Sequence, residues 1–553
     1  MKVNANIIKT YKSLHTWTGI ISGMALFIAF YAGALTIFKE PISQWATPPT
    51  VSATQLEMDE VPAFIATIVK LAPEAGKSIR LNLDPAEHGT HQFTWIKEDE
   101  KAGEHDTSGQ HHFTARINND EEVVTQEIFP APVAQFIDTL HRVVGLPVDS
   151  DANRWIMGVF AGLYTLALVS GLVILLPILV KELFAFRLGR KPKRVWLDAH
   201  NVVGVSSLPF HIIMALTAFV FAYHDLLYGA QNAVIHDGKL RDALFSSAPR
   251  PQPDQSTDPA QMLSPHVLLN TTTTISPDFK PYQLEYAGIT TPRASVRIWG
   301  HNDNAIAPRA PGGFIAINPY TGEVQSTDYL PGKQGAGMTT VSSFFALHFA
   351  TYGGEPVRWM YFFLGLAGAW LFYSGNLLWV ENRRKRQRPD GKIFSQRKDV
   401  SAMAALTVGV CLGSVCGISL MLAASKWLSM QIDNLLMIEQ WIYYSIFFAS
   451  IGWAFLRGAA RALVDLLHLS AILTFLIPLT SLLGLTFPAT GLWMHQAPPM
   501  LAVDITAFAL GCSFLMLARA TSNRVYGTVS TDSVWSYNPR RYKVNSSENS
   551  INY

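Results

Sequence analysis

Apolar runs of about 18 or more residues with few charges recur along the chain at about 14–38, 155–180, 200–223, 357–380, 400–425, 437–456, 464–487 and 500–519. As a helix, each is long enough to cross the roughly 30 Å hydrocarbon layer of a membrane. Two long polar segments interrupt them, and there the apolar spacing becomes helical or alternating. The first predicts a helix over Val61–Leu71 and strands at Ser78–Leu83, Gln92–Lys97 and His112–Ile117. The second repeats that order, with a helix over Pro259–Leu269, strands at Tyr282–Tyr286, Ser295–Trp299 and Phe314–Asn318, and a turn at Pro319–Gly322. Ala248–Asp258, rich in Pro, Ser and Asp, reads as a linker. The expected fold is an α-helical integral membrane protein of about eight spans carrying two small α+β domains.

Charge then orients the chain. Lys2, Lys9 and Lys12 precede the first span; Arg187, Arg190, Lys191, Lys193 and Arg194 separate the second from the third; Arg383, Arg384, Lys385, Arg386 and Arg388 follow the fourth. By the positive-inside rule these segments and both termini are cytoplasmic, which places the α+β domains in the periplasm of a bacterial inner membrane. The expected division is a first span over 1–39, a periplasmic domain over 40–153, spans two and three over 154–224 and a second periplasmic domain over 225–356. The fourth span and a basic loop then fill 357–399, four additional spans 400–520, and a polar, disordered cytoplasmic tail 521–553. Ala32-Gly33-Ala34 has the look of a signal-peptide cleavage site, but it lies inside an apolar run too long for one.

Composition agrees: 49% of the 553 residues are hydrophobic and 15% charged, against roughly 25% charged in soluble domains. A net charge of +2 excludes a strongly basic nucleic-acid binder. Three cysteines, Cys411, Cys416 and Cys512, all in apolar runs, exclude a disulfide framework or a cysteine-built metal site.

Candidate chemistry lies in a short repeat, apolar-His-x-x-x-Gly, at the heads of the first four spans. It reads Leu14-His15…Gly19, Leu140-His141…Gly145 and Ala199-His200…Gly204; a fourth copy, Leu347-His348…Gly353, displaces the glycine by one residue. On a helix, positions i and i+4 share a face, so each of the first three places an imidazole one turn from a position without a side chain, where a flat macrocycle could lie. His15 and His200 open spans entered from the cytoplasm, whereas His141 and His348 precede spans entered from the other side. A helix from His200 to Tyr223 would be about 35 Å long, so two sites stack across the bilayer. One such histidine reads as a polar anchor or helix cap; four in a repeated context at matched depths read as ligands. Facing imidazole pairs suit haem iron, and with both axial positions filled such a centre passes electrons rather than binding oxygen. Two b-type haems are expected, one on His15 with His200 and one on His141 with His348; Cys-x-x-Cys-His is absent, so neither is attached covalently.

Across about residues 10–385 these motifs resemble the PepSY-associated transmembrane family, and especially its siderophore-iron reductases. The carriers are Leu14-His15…Gly19…Gly23, Leu140-His141-Arg142, His200…Gly204, Leu347-His348, and Ile317-Asn318-Pro319-Tyr320-Thr321-Gly322-Glu323-Val324, which is similar to the closing hairpin of a PepSY domain. The resemblance implies an enzyme, a di-haem b protein reducing ferric siderophores or other ferric chelates in the periplasm, with ligand roles for His15, His141, His200 and His348. Arg142, next to a proposed ligand, suits a haem propionate or an anionic chelate. The four spans from about Ala402 onward carry no matched motif.

His211 reads as a structural histidine or an alternative ligand, and His224 as a cap or a neighbour of the outer haem. His468 and His495 lack the repeat context, and His105, His111 and His112 sit in a stretch that reads as a solvated loop. Trp17, Trp155, Trp359 and Trp379 read as interfacial anchors. Without a Gly-x-Gly-x-x-Gly or P-loop, electrons come from a separate protein, a diffusible reduced flavin or a quinol. The alternatives are a haem-free PepSY membrane protein that binds or restrains a periplasmic protease or other partner, and a transporter.

Overall fold

The computed structural model describes residues 4–49, 56–84, 91–98, 110–118, 120, 122–178, 192–240, 257–309, 312–384, 396–429, 434–527 and 534–537. His105, Arg187, Arg190, Lys191, Lys385, Arg386, Arg388, most of the expected linker and nearly all of the tail lie outside them.

Among the described residues, seven helices are long and apolar enough to cross a membrane. In chain order, helices α1 (Ala5–Thr36), α2 (Lys39–Ala46), α3 (Val61–Leu71), α4 (Val133–Arg142) and α5 (Asp151–Leu175) make up the first part. Next come α6 (Pro192–Ser206), α7 (Leu208–Ala222), α8 (His224–Val234), α9 (Pro265–Ile275), α10 (Ala336–Phe349) and α11 (Gly354–Arg383). The last four are α12 (Lys398–Leu428), α13 (Leu435–Arg457), α14 (Ala459–Thr486) and α15 (Pro498–Tyr526). The protein is thus multi-pass, and α15 extends helix beyond Thr521, where disorder was expected.

The third expected span is not one rod. It breaks between α6 and α7, which are bent by 68°, and the pair counts as an eighth span only if taken together. Pro209, second residue of α7, has no N–H for a continuing helix to bond. The buried Ser207 hydroxyl donates back to the Val203 carbonyl at 2.6 Å, a local bond of the kind that bends helices. The 35 Å distance from His200 therefore does not hold, and His200 stands on α6, before the bend.

Both sheet-bearing regions are present, but they are one body. Strands β1 (Ser78–Asn82), β2 (Phe93–Glu98), β3 (Gln110–Ile117), β4 (Val123–Ile128), β5 (Lys280–Ala287), β6 (Ser295–His301), β7 (Gly313–Ile317) and β8 (Val324–Ser326) form an eight-stranded sheet ordered β4-β3-β2-β1-β5-β6-β7-β8. Each region supplies a four-stranded meander, and the two meet where β1 pairs antiparallel with β5, Arg80 opposite Glu285 and Leu81 opposite Leu284. His111, expected in a loop, lies in β3. Alternation sends Ile79, Leu81, Phe93, Trp95, Leu284 and Ile298 to one face, where α3 and α9 cover them in a closed core. The opposite face is polar.

Candidate functional site

The four repeated histidines fall on four different elements. His15 is in α1 and His200 in α6, but His141 and His348 sit in the last turns of α4 and α10, short helices that end just before a span. Gly145 is consequently not one turn along a helix from His141. It has φ +90°, a left-handed conformation glycine takes readily, and its N–H closes α4 by bonding the Leu140 carbonyl at 2.8 Å. Gly353 is likewise left-handed, φ +67°, ahead of α11. Gly19 and Gly204 do face open space: a Cβ on Gly19 would meet nothing within 4 Å, and on Gly204 only Leu371 at 3.9 Å.

All four imidazoles are held in the same way, by Nδ1. His15 donates to the Ala167 carbonyl at 2.8 Å and His141 to the Ala29 carbonyl at 2.8 Å. His200 contacts the Ser374 hydroxyl at 2.8 Å and His348 the Thr217 hydroxyl at 2.8 Å. Each hydroxyl gives its own proton to a carbonyl of its helix, Leu371 for Ser374 and Ile213 for Thr217, so each accepts from the imidazole. The bond at Nδ1 fixes the tautomer and leaves a lone pair on Nε2 of every ring, the state that ligates a metal. His141 and His348 face each other with ring centres 6.0 Å apart and planes 36° apart. Metal–nitrogen bonds of about 2 Å on either side of one iron leave two imidazole centres roughly 6 Å apart. His200, on α6, lies near His15, on α1.

Glycines across the helix interfaces make room for these rings. A Cβ on Gly33 would come within 2.7 Å of His141 Nδ1, and one on Gly171 within 3.0 Å of His15 Cε1. Gly33 belongs to the Ala-Gly-Ala triplet noted in the sequence; its spacing from His141 is purely tertiary and leaves no local signal. Paired free Nε2 atoms, glycine clearances and a cavity reaching His141 and His348 fit a bis-histidine haem.

That cavity, of about 2030 Å3, runs from Leu26, Phe30, Gly33 and Tyr164 between the helices out to the polar face of the sheet at Arg80, His112 and Trp299. It exceeds the 300–1,000 Å3 usual for one small ligand. Arg142 lines it but is engaged, with Asp138 and with Asp149 at 2.9 Å. Lys39 also reaches Asp138, at 2.7 Å. Burial works against ionisation of Asp138, yet Arg142 and Lys39 outweigh it and hold the carboxyl well below its usual range.

The remaining histidines separate clearly. His211, 3% exposed, meets the Tyr164 hydroxyl through Nδ1 at 2.5 Å, and its Nε2 has no partner. His224 bonds the Phe221 carbonyl, His468 the Val464 carbonyl one turn back, His495 the Thr47 carbonyl, and His111 pairs with Glu127 at 2.8 Å. Trp17 and Trp155 are exposed as anchors should be, whereas Trp379 is buried, with Arg383 4.3 Å above its ring.

No curated protein matches the chain. A family model, that of the PepSY-associated TM region, matches residues 12–382, which include all four repeated histidines and the whole sheet, and the chain belongs to that family.

Proposed function

We propose that the protein is a di-haem b oxidoreductase of the bacterial inner membrane that reduces ferric iron in siderophores or other chelates on the periplasmic side. The observation that carries this reading is the 6.0 Å separation of His141 and His348, each with Nδ1 occupied and Nε2 free. His141 and His348 would hold the haem nearer the periplasm, His15 and His200 the one nearer the cytoplasm. Held by these histidines, haem would supply a one-electron centre. The chain's own residues set the rest: the Nδ1 acceptors hold the rings in register, the apolar helices exclude water, and the cavity lets a chelate approach from the sheet side. The electron donor is a separate protein, reduced flavin or quinol.

The test is pyridine haemochrome analysis of protein expressed with ample haem. Two haems per chain are expected, and one after His141→Ala. Absence of haem in the folded wild type would sink the reading. Pre-reduced proteoliposomes mixed with an external, membrane-impermeant ferric chelate should then show haem reoxidation.

A further inference from the structure

We infer that the polar face of the sheet carries an anion-binding site, built on Arg80 and Arg116 with His91 and His112, that receives a carboxylate-bearing ferric chelate. As a statement about substrate, it rests on the reductase reading; as a statement about binding, it stands by itself. Register brings these groups together. Arg80 is opposite Thr94 and Thr94 opposite Thr114, while His112 and Arg116 lie two residues either side of Thr114. In a strand, alternate residues share a face, so Arg80, Thr94, His112 and Arg116 point away from the closed core and toward the cavity that they line; His91, just ahead of β2, lines it too.

Charge balance singles out the two arginines. Most carboxylates on the cavity wall are already paired: Asp138 with Lys39 and Arg142, Glu127 with His111, Glu285 with Arg297, Asp303 with Lys280 and Glu355 with Arg358. Glu40, exposed on α2, is bonded only to Gln44. Among the described residues neither the Arg80 nor the Arg116 guanidinium has a hydrogen-bond or ion-pair partner. Arg80 is half-buried in the middle of the sheet, where an unpaired guanidinium loses hydration without return. Burial and then Arg116 push the His91 imidazole below its usual range; burial, Arg80 and His111 do the same to His112. Both imidazoles therefore sit in a positive field that an incoming anion would relieve.

Two guanidinium forks suit the paired oxygens of carboxylates or phosphates. Ferric complexes of hydroxycarboxylates carry net negative charge and fit; neutral or cationic trihydroxamates do not. An anionic lipid headgroup offers the same oxygens, so the test must separate the two.

Gallium(III) citrate mimics the ferric complex but is not reduced, so its binding is independent of haem and of turnover. Calorimetric titration into the full-length protein in zwitterionic nanodiscs should show binding that weakens with salt. Arg80→Gln and Arg116→Gln should each weaken it about tenfold, Arg80→Lys less, with melting temperature not lowered, and a cationic gallium trihydroxamate should not respond to either change. No citrate binding by wild type, or equal binding by the Gln variants, would overturn the inference. So would retention of phosphatidylglycerol by wild type but not by the variants, without citrate binding. Citrate binding combined with absence of haem would keep the site and remove only the reductase reading.

Discussion

The histidine unit around α1 and the bundle of α12–α15 use glycine in opposite ways. On α12, Gly409, Gly413 and Gly417 form a stripe against α13: a Cβ would come within 2.6 Å of Ile451 Cα, 3.0 Å of the Phe447 carbonyl and 2.8 Å of the Tyr443 ring. This is backbone-to-backbone packing between membrane helices, with 89% of the apolar stretch of α12 buried. In the histidine unit, Gly33 and Gly171 clear space for imidazoles, while Gly19 and Gly162 face nothing within 4 Å. One region spends its small residues on closeness and the other on room. Charge follows the same division. Lys426, 1% exposed, is enclosed in the bundle, donating to Ser481 at 2.7 Å and lying 3.9 Å from the centre of the Trp45 ring, and Ser481 in turn donates to Asp504 at 2.9 Å. The Nε2 atoms of the histidine unit are left open.

The contrast can be broken most severely at Gly33. Gly33→Leu should displace the His141 ring and lower haem from two to one per chain, read by haemochrome, with the bundle intact. Lys426→Met should do the reverse: two haems retained, but stability reduced by about 2 kcal/mol because the buried Ser481 hydroxyl and Trp493 carbonyl lose their donor, seen as a lower thermal midpoint. Asp138 gives an acid-side test. Its carboxyl titrates lower when folded than unfolded, so its contribution, of order 2 kcal/mol, is complete above the unfolded value of about 4 and is lost as pH falls below it. Asp138→Asn should flatten the fall in thermal midpoint over that interval. Gly413→Ala should cost about 1.5 kcal/mol by forcing α12 from α13. Gly19→Ala, chemically the same change, should stabilise haem-free protein by up to about 1 kcal/mol while reducing haem loading; equal destabilisation at both positions would erase the distinction.

Much of this was legible in local pattern. The helix Val61–Leu71 and six of the strands follow from periodicity, because each buries one face against a single neighbour layer. β4 shows no such signal, and β8 is marked only by the hairpin at Ile317–Val324, since its three half-buried residues are too few to show a period. α4 and α10, of 10 and 14 residues, are too short to stand out as membrane-length apolar runs. The break at Ser207 had its signal in Pro209. The histidines themselves stood out because they repeat, but Gly33, Gly171, Ser374 and Thr217 act across helix interfaces, and nothing near them in the chain says so. The unpaired state of Arg80 depends on the whole cavity wall and was equally hidden.

The seam between β1 and β5 gives the chain a divided inheritance. Cut between residues 178 and 192, it yields one piece with four strands and His15 and His141, and another with four strands and His200 and His348. Each would present a bare central strand as an edge, open to aggregation. Every proposed histidine pair would also lack a member. The pieces are complements rather than modules, able to rebuild the molecule only by zipping Ser78–Asn82 against the Gln283–Ala287 stretch of the other.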